Sequence, residues 1–122
     1  MTAPQTTILY VRDLTQSLAF YQQLLGAAPL EATETFALFA LNEGAMLGLW
    51  HQDKVVPPCA GSTQARSELC FPMPDRDTLL GTCERLAAQG VDIAQSPTEM
   101  PFGLTFLITD PDQHRIRYLL PN

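Results

Sequence analysis

The two halves of this chain carry the same succession of structural signals, and such an internal repeat limits the possible folds more than any single motif does. The first half opens on Thr7-Ile8-Leu9-Tyr10-Val11, β-branched and aromatic residues that favour a strand. Asp13 follows as a helix-starting residue, then Leu14, Leu18, Tyr21 and Leu25 recur at helical spacing before Gly26. The second half repeats the order: Leu69-Cys70-Phe71-Pro72-Met73, then Asp75 and Asp77, then Leu79, Cys83, Leu86 and Ala87 on one predicted helical face before Gly90.

After each glycine the pattern changes to strands. In the first half these are expected at 29–33, 36–41 and 45–50, the last two joined at Asn42-Glu43-Gly44, whose residues tolerate positive φ. In the second half they are expected at 91–94, 105–109 and 116–120, the last behind the turn Asp110-Pro111-Asp112-Gln113. Each half thus reads βαβββ, giving one α+β domain with module one at about 6–50, a linker at 51–67 and module two at about 68–122. The linker is read from Pro57-Pro58 and Gly61-Ser62 and from its lack of periodicity. Pro72, inside an expected strand, should lie at a sheet edge or a bulge because it has no N–H to donate.

Composition narrows the function classes. At 122 residues, 46% of them apolar, the chain can bury a core without staples, and no apolar run nears the roughly 20 residues of a membrane helix. The opening five residues have neither the charge nor the apolar stretch of a signal peptide, so a cytoplasmic location is expected. Cys59, Cys70 and Cys83 are odd in number and without ligand or redox spacing, which suits free thiols. A net charge of −6 with only seven scattered Lys and Arg excludes the footprint of a nucleic-acid binder and disfavours anionic membranes. No Ser/His/Asp grouping, phosphate loop or carboxylate pair stands out.

With the repeat in view, the chain resembles the vicinal-oxygen-chelate superfamily of glyoxalases, bleomycin-resistance proteins and dioxygenases. The resemblance covers nearly the whole chain. It is carried by Val11-Arg12-Asp13-Leu14, Ser17-Leu18-Ala19-Phe20-Tyr21 and Leu25-Gly26, and by Phe102-Gly103, Phe106, Asp110-Pro111-Asp112 and His114. It implies that each module curls into half of a cup, a curved mixed sheet with its helix on the outer face. Metal enzymes of the family place His, Glu or Gln at four equivalent strand positions. Here those positions correspond to Thr6, Gly48, Glu68 and Arg117, of which only Glu68 suits a metal. No metal or other cofactor is therefore expected, and Glu68 and Arg117 are expected to form an ion pair instead.

Strand alternation, set by those positions, turns Ile8, Tyr10, Met46 and Trp50 to the concave side with Thr6 and Gly48, and Leu9, Val11, Leu47 and Leu49 to the helix. In module two it turns Glu68, Cys70, Pro72, Arg117 and Leu119 inward, leaving Leu69, Phe71, Met73, Ile116, Tyr118 and Leu120 for the core. Trp50, the single tryptophan, either stacks on a flat ligand or serves as core or dimer interface. Phe102 is either a second stacking residue or a lid on the core, with Gly103 allowing close backbone approach to a ligand. His51 is a candidate for the cup mouth, and His114 reads as a turn residue.

The nearest resemblance is to the phenazine antibiotic-resistance branch, on Leu47-Gly48-Leu49-Trp50, Ser67-Glu68 and the stretch from Asp110 to Arg117. Gln113 departs from the Gly usual in that turn, which bears on its positive-φ geometry. This implies non-catalytic sequestration of a planar aromatic small molecule, an antibiotic of phenazine or bleomycin-resistance type. The site residues expected are Trp50, Phe102, Gly103, Tyr10, Glu68, Arg117, Met46 and His51. The alternative is a metal-dependent glyoxalase-like lyase, thiol transferase or dioxygenase, yet a register slipped by one residue offers only Thr7, Leu49 and Ile116. A module that binds a protein segment is a third reading. The resemblance also implies a homodimer whose partner covers apolar faces and edges.

Overall fold

The computed structural model describes residues 6–56, 58 and 67–122. Residues 1–5, Pro57, Cys59 and the Gly61-Ser62 part of the expected linker lie outside the described residues. The chain divides into two compact units, residues 1–62 and 63–122.

Unit one runs β1 (Thr6–Val11), α1 (Leu14–Leu25), β2 (Glu31–Ala32), β3 (Phe36–Ala40) and β4 (Met46–His51). Its mixed sheet has the order β1-β4-β3-β2, with β1 and β4 parallel and the other pairs antiparallel. The helix starts where expected because the Gln16 N–H donates to Asp13 Oδ1 at 3.1 Å, satisfying one of the open first-turn donors. It stops at Gly26, whose φ of 66° is a left-handed conformation that glycine adopts without penalty. Leu14, Ser17 and Tyr21 form its buried stripe, and it packs on β3 and β4. Against it Val11, Ala37, Leu47 and Leu49 are fully buried. Each large apolar side chain there contributes roughly 1.5–3 kcal/mol relative to exposure.

Unit two repeats the plan with β5 (Glu68–Pro72), α2 (Arg76–Ala88), β6 (Asp92–Met100), β7 (Gly103–Thr109) and β8 (Arg115–Pro121). The sheet order β5-β8-β7-β6, with β5 and β8 parallel, is the same arrangement as in unit one. Asp75 caps α2 by accepting from the Thr78 N–H at 2.8 Å, and this bond holds its carboxyl below the usual range. Leu79 and Leu86 of α2 are buried, and beneath the helix lie Phe106, Ile108, Ile116 and Tyr118. The Tyr118 ring stacks on Phe106 (4.7 Å, 4°) and on Phe71 (5.5 Å, 28°), and burial pushes its phenol up to about 12. Pro72 is the last residue of β5, a strand paired on one side by β8 within this four-stranded sheet, so its missing donor costs no ladder bond.

Three expectations need correction. The strand expected at 91–94 extends to Met100 through two register irregularities, which let Pro97 and the polar run around it stay in the sheet. Conversely, the strand expected at 29–33 shrinks to Glu31–Ala32, because Pro29 cannot donate and the Thr33 hydroxyl turns the chain by accepting from the Thr35 and Phe36 N–H groups. Ala87 is exposed, leaving Leu79, Cys83 and Leu86 as the buried face of α2.

The turn between β7 and β8 keeps a left-handed residue despite lacking glycine, with Gln113 at φ 67°. Buried Asp110 stabilises it by accepting from the Asp112 and His114 N–H groups, both at 2.8 Å. Among the described residues no helix is long and apolar enough to cross a membrane.

Candidate functional site

In each unit the helix covers one face of the sheet and leaves the opposite face to build a site. In unit one the open face is aromatic. Cross-strand register aligns Tyr10 with Trp50 on β4, and Trp50 with Phe36 on β3. The Trp50 ring meets the edges or faces of both neighbours in near-perpendicular geometry, at 6.3 Å and 80° from Tyr10 and 6.2 Å and 85° from Phe36. Ile8 and Tyr10 are exposed and Trp50 and Met46 half-buried, so large apolar surface is left uncovered within the described chain.

Gly48 sits in the middle of this face. A side chain there would begin 2.9 Å from Phe36 Cζ and 3.3 Å from Ile8 Cγ1, so the Phe36 ring fills the space that any larger residue would use. Phe36 belongs to this open face, and sequence reading missed it. Its strand was expected, but its place over Gly48 depends on the β3–β4 register.

Unit two presents a polar cluster. Arg117 Nε donates to Glu68 Oε1 at 2.7 Å and its Nη2 to Glu68 Oε2 at 3.3 Å, the two-pronged pairing that guanidinium and carboxylate geometry favours. Thus the expected ion pair is present. Arg117 Nη1 also donates to Thr105 Oγ1 at 3.2 Å and to Gln95 Oε1 at 3.4 Å. The Phe102 ring centroid lies 5.7 Å from the guanidinium carbon, within cation–π range. Asn122 holds that turn in place, its backbone N–H donating to the Phe102 carbonyl and its side-chain amide to the Pro101 carbonyl. Thr105 and Gln95 were not foreseen. Thr105 carried no signal beyond strand alternation, and Gln95 lies in the part of β6 that was not expected to be a strand. Cys70, the register partner of Arg117, has a thiol pushed up first by burial and then by the Glu68 charge, with Arg117 opposing.

The remaining sequence candidates lie elsewhere. His51 follows Trp50 and so points to the other face of the sheet, where it pairs in register with buried Val11. There its Nδ1 accepts from the Asp53 N–H at 3.2 Å, and it borders an open cleft of about 620 Å³ with Arg12, Thr15, Gln16 and Glu34. Alternation alone could have shown that His51 does not share a face with Trp50. Gly103 has a φ of 142°, and a side chain there would collide with the Leu120 carbonyl, so the neighbouring strand β8 accounts for the glycine. His114 lies in the β7–β8 turn, as expected.

A divalent metal of the kind held by the metal enzymes of the family does not suit these residues. Thr6 offers a neutral hydroxyl, Gly48 no donor and a space already filled by a ring, and Arg117 a cation engaged with the one carboxylate. Among the described residues no group of three or more His, Cys, Asp or Glu side chains comes together.

Comparison with known proteins places this geometry among relatives. The family model described as Glyoxalase/Bleomycin resistance protein/Dioxygenase superfamily matches residues 3–118. The phenazine antibiotic resistance protein EhpR of Enterobacter agglomerans is 27% identical over 117 residues, covering 93% of this chain and 88% of that protein. Among solved structures, the solution structure of protein ATC0852 from Agrobacterium tumefaciens aligns with a TM-score of 0.87 and 39% identity, over 100% of this chain and 99% of the other. A glyoxalase-related enzyme from Fulvimarina pelagi shares the fold with a TM-score of 0.84 at 23% identity, over 98% of this chain and 88% of the other.

Proposed function

This chain belongs to the glyoxalase/bleomycin resistance protein/dioxygenase superfamily, and from that premise we propose that it binds and sequesters a planar aromatic small molecule without transforming it. The observation that carries the proposal is the aromatic open face of unit one, where Tyr10, Phe36 and Trp50 present ring surface that the described chain does not cover. Flat π-systems gain from offset or edge contacts with such rings, and an apolar wall with few polar groups is the usual make-up of a small-molecule site. Unit two, taken by itself, carries on its own open face a ring, Phe102, beside the polar Glu68–Arg117 pair. The likeness to a phenazine antibiotic resistance protein supports an antibiotic of that planar class as the ligand. On this reading the protein acts in the cytoplasm as a homodimer, which sedimentation would report as twice the monomer mass.

The test uses the single tryptophan as reporter. Metal content is measured first, and the metal-free protein is then titrated with planar heteroaromatic compounds. Micromolar quenching is the expected result, and Trp50→Ala should weaken binding by about tenfold when affinity is read by calorimetry. A near-unchanged affinity would remove Trp50 from the site. Stoichiometric metal accompanied by turnover of a substrate would replace sequestration with catalysis.

A further inference from the structure

We infer that the Glu68–Arg117 pair selects for planar ligands that bring a hydrogen-bond donor and carry no negative charge. This rests on the reading that the protein binds planar aromatic molecules, applied to the open face of unit two alone, where Phe102 supplies the ring, and adds to it the chemical class of the ligand.

An arginine on the face of a candidate site is ordinarily a receptor for carboxylates, because its five N–H donors form a fork that matches them. Here the fork is already occupied. Two of its donors serve Glu68, one serves Gln95 and one serves Thr105, which leaves a single Nη2 hydrogen. Thr105 cannot release its share by rotating, since its own hydroxyl hydrogen is committed to the Tyr118 carbonyl at 2.7 Å and the side chain is fully buried. The lone pair therefore faces Arg117. Phe102 lies over the guanidinium on one side.

The pair is also unequally exposed: the Arg117 side chain is 16% accessible and that of Glu68 36%. The Glu68 side chain therefore offers an approaching molecule a larger share of its surface than the Arg117 side chain does. A carboxylate has about four lone-pair sites, and Arg117 uses two, so Glu68 retains acceptor capacity for an N–H, O–H or ammonium group. A ligand carboxylate would gain one N–H at most while being placed beside a like charge. The neighbouring Cys70 thiol responds to the same imbalance, being raised more by Glu68 than it is lowered by Arg117.

The experiment compares three matched probes by isothermal calorimetry at neutral pH: 9-aminoacridine, a cation with N–H donors; acridine, neutral and without a donor; and acridine-9-carboxylate, an anion. The expected order of affinity on the wild-type protein follows that sequence, with the first about tenfold or more tighter than the last. Glu68→Gln should erase or reverse the order, because the Arg117 charge is then uncompensated. The double variant Glu68→Gln/Arg117→Gln, with both charges gone, should bring the three affinities within about twofold of one another. Equal or tighter binding of acridine-9-carboxylate by the wild type overturns the selection while leaving the aromatic reading intact. An unchanged order in a folded Glu68→Gln variant overturns the role of Glu68. If none of the three probes binds, the aromatic reading falls and this inference falls with it.

Discussion

The two units share strand order, parallel and antiparallel pairing and an aspartate cap on the helix, yet their open faces have become chemically opposite. Where unit one has glycine at position 48 under a phenylalanine ring, unit two has Arg117 tied to a carboxylate, an amide and a buried hydroxyl. The helix-side faces have stayed alike in kind, with Val11, Leu47 and Leu49 in one and Ile116, Tyr118 and Phe106 in the other all buried. The contrast separates two jobs of one strand. Residues facing the helix hold the fold, so their character is constrained by packing, while alternate residues on the open face can change chemistry without disturbing the ladder.

Glycines offer the sharpest way to break the comparison. Gly103 is hemmed in by the backbone of β8 and has positive φ, so Gly103→Ala should destabilise unit two by about 3 kcal/mol or more, read as the midpoint of denaturant unfolding. Gly48 is confined by side chains that can give way, so Gly48→His should cost less, about 2 kcal/mol, with the loss relieved when Phe36 is shortened to alanine in the same chain. Equal costs for the two glycines would erase the distinction between a space filled by backbone and one filled by a ring.

The core of unit two carries a pH dependence of its own. The native state keeps Tyr118 protonated up to about 12, above its ordinary value near 10, so its contribution is complete below pH 10 and is lost as the pH rises toward 12. The loss is on the order of 2 kcal/mol and should disappear in Tyr118→Phe, measured by unfolding at fixed pH steps. The smallest effect should be shared by both units. Asp13→Ala removes the acceptor for the Gln16 N–H and should cost about 1 kcal/mol, and Asp75→Ala should destabilise in the same direction. A large inequality between these two variants would mean that the caps, unlike the open faces, are not equivalent.

Much of this architecture was legible in the sequence because it is local. Asp13, Gly26 and the apolar spacing of Leu14 and Tyr21 act over a few residues, and so do Asp75 and Leu79. The face of Trp50 and Tyr10 followed from alternation anchored on the strand positions that the family resemblance implies, and the Glu68–Arg117 pair was expected from those same positions. What stayed hidden depends on register between strands or on irregular pairing. Phe36 comes to lie over Gly48 through the antiparallel match of β3 with β4, and Thr105 comes under Arg117 through that of β7 with β8. Gln95 sits at a shift of register in β6, where proline and polar residues mask the strand.

The Phe36 ring over Gly48 also makes these two positions a single unit of change. A larger residue at 48 must displace the Phe36 ring, and reducing position 36 alone leaves an empty space beside a glycine. Each step is a loss by itself, and only the pair restores a filled surface. Such reciprocal dependence couples the two positions, so that a substitution at either one changes what the other tolerates. Sequence variants of this protein should accordingly change 36 and 48 together or leave both alone.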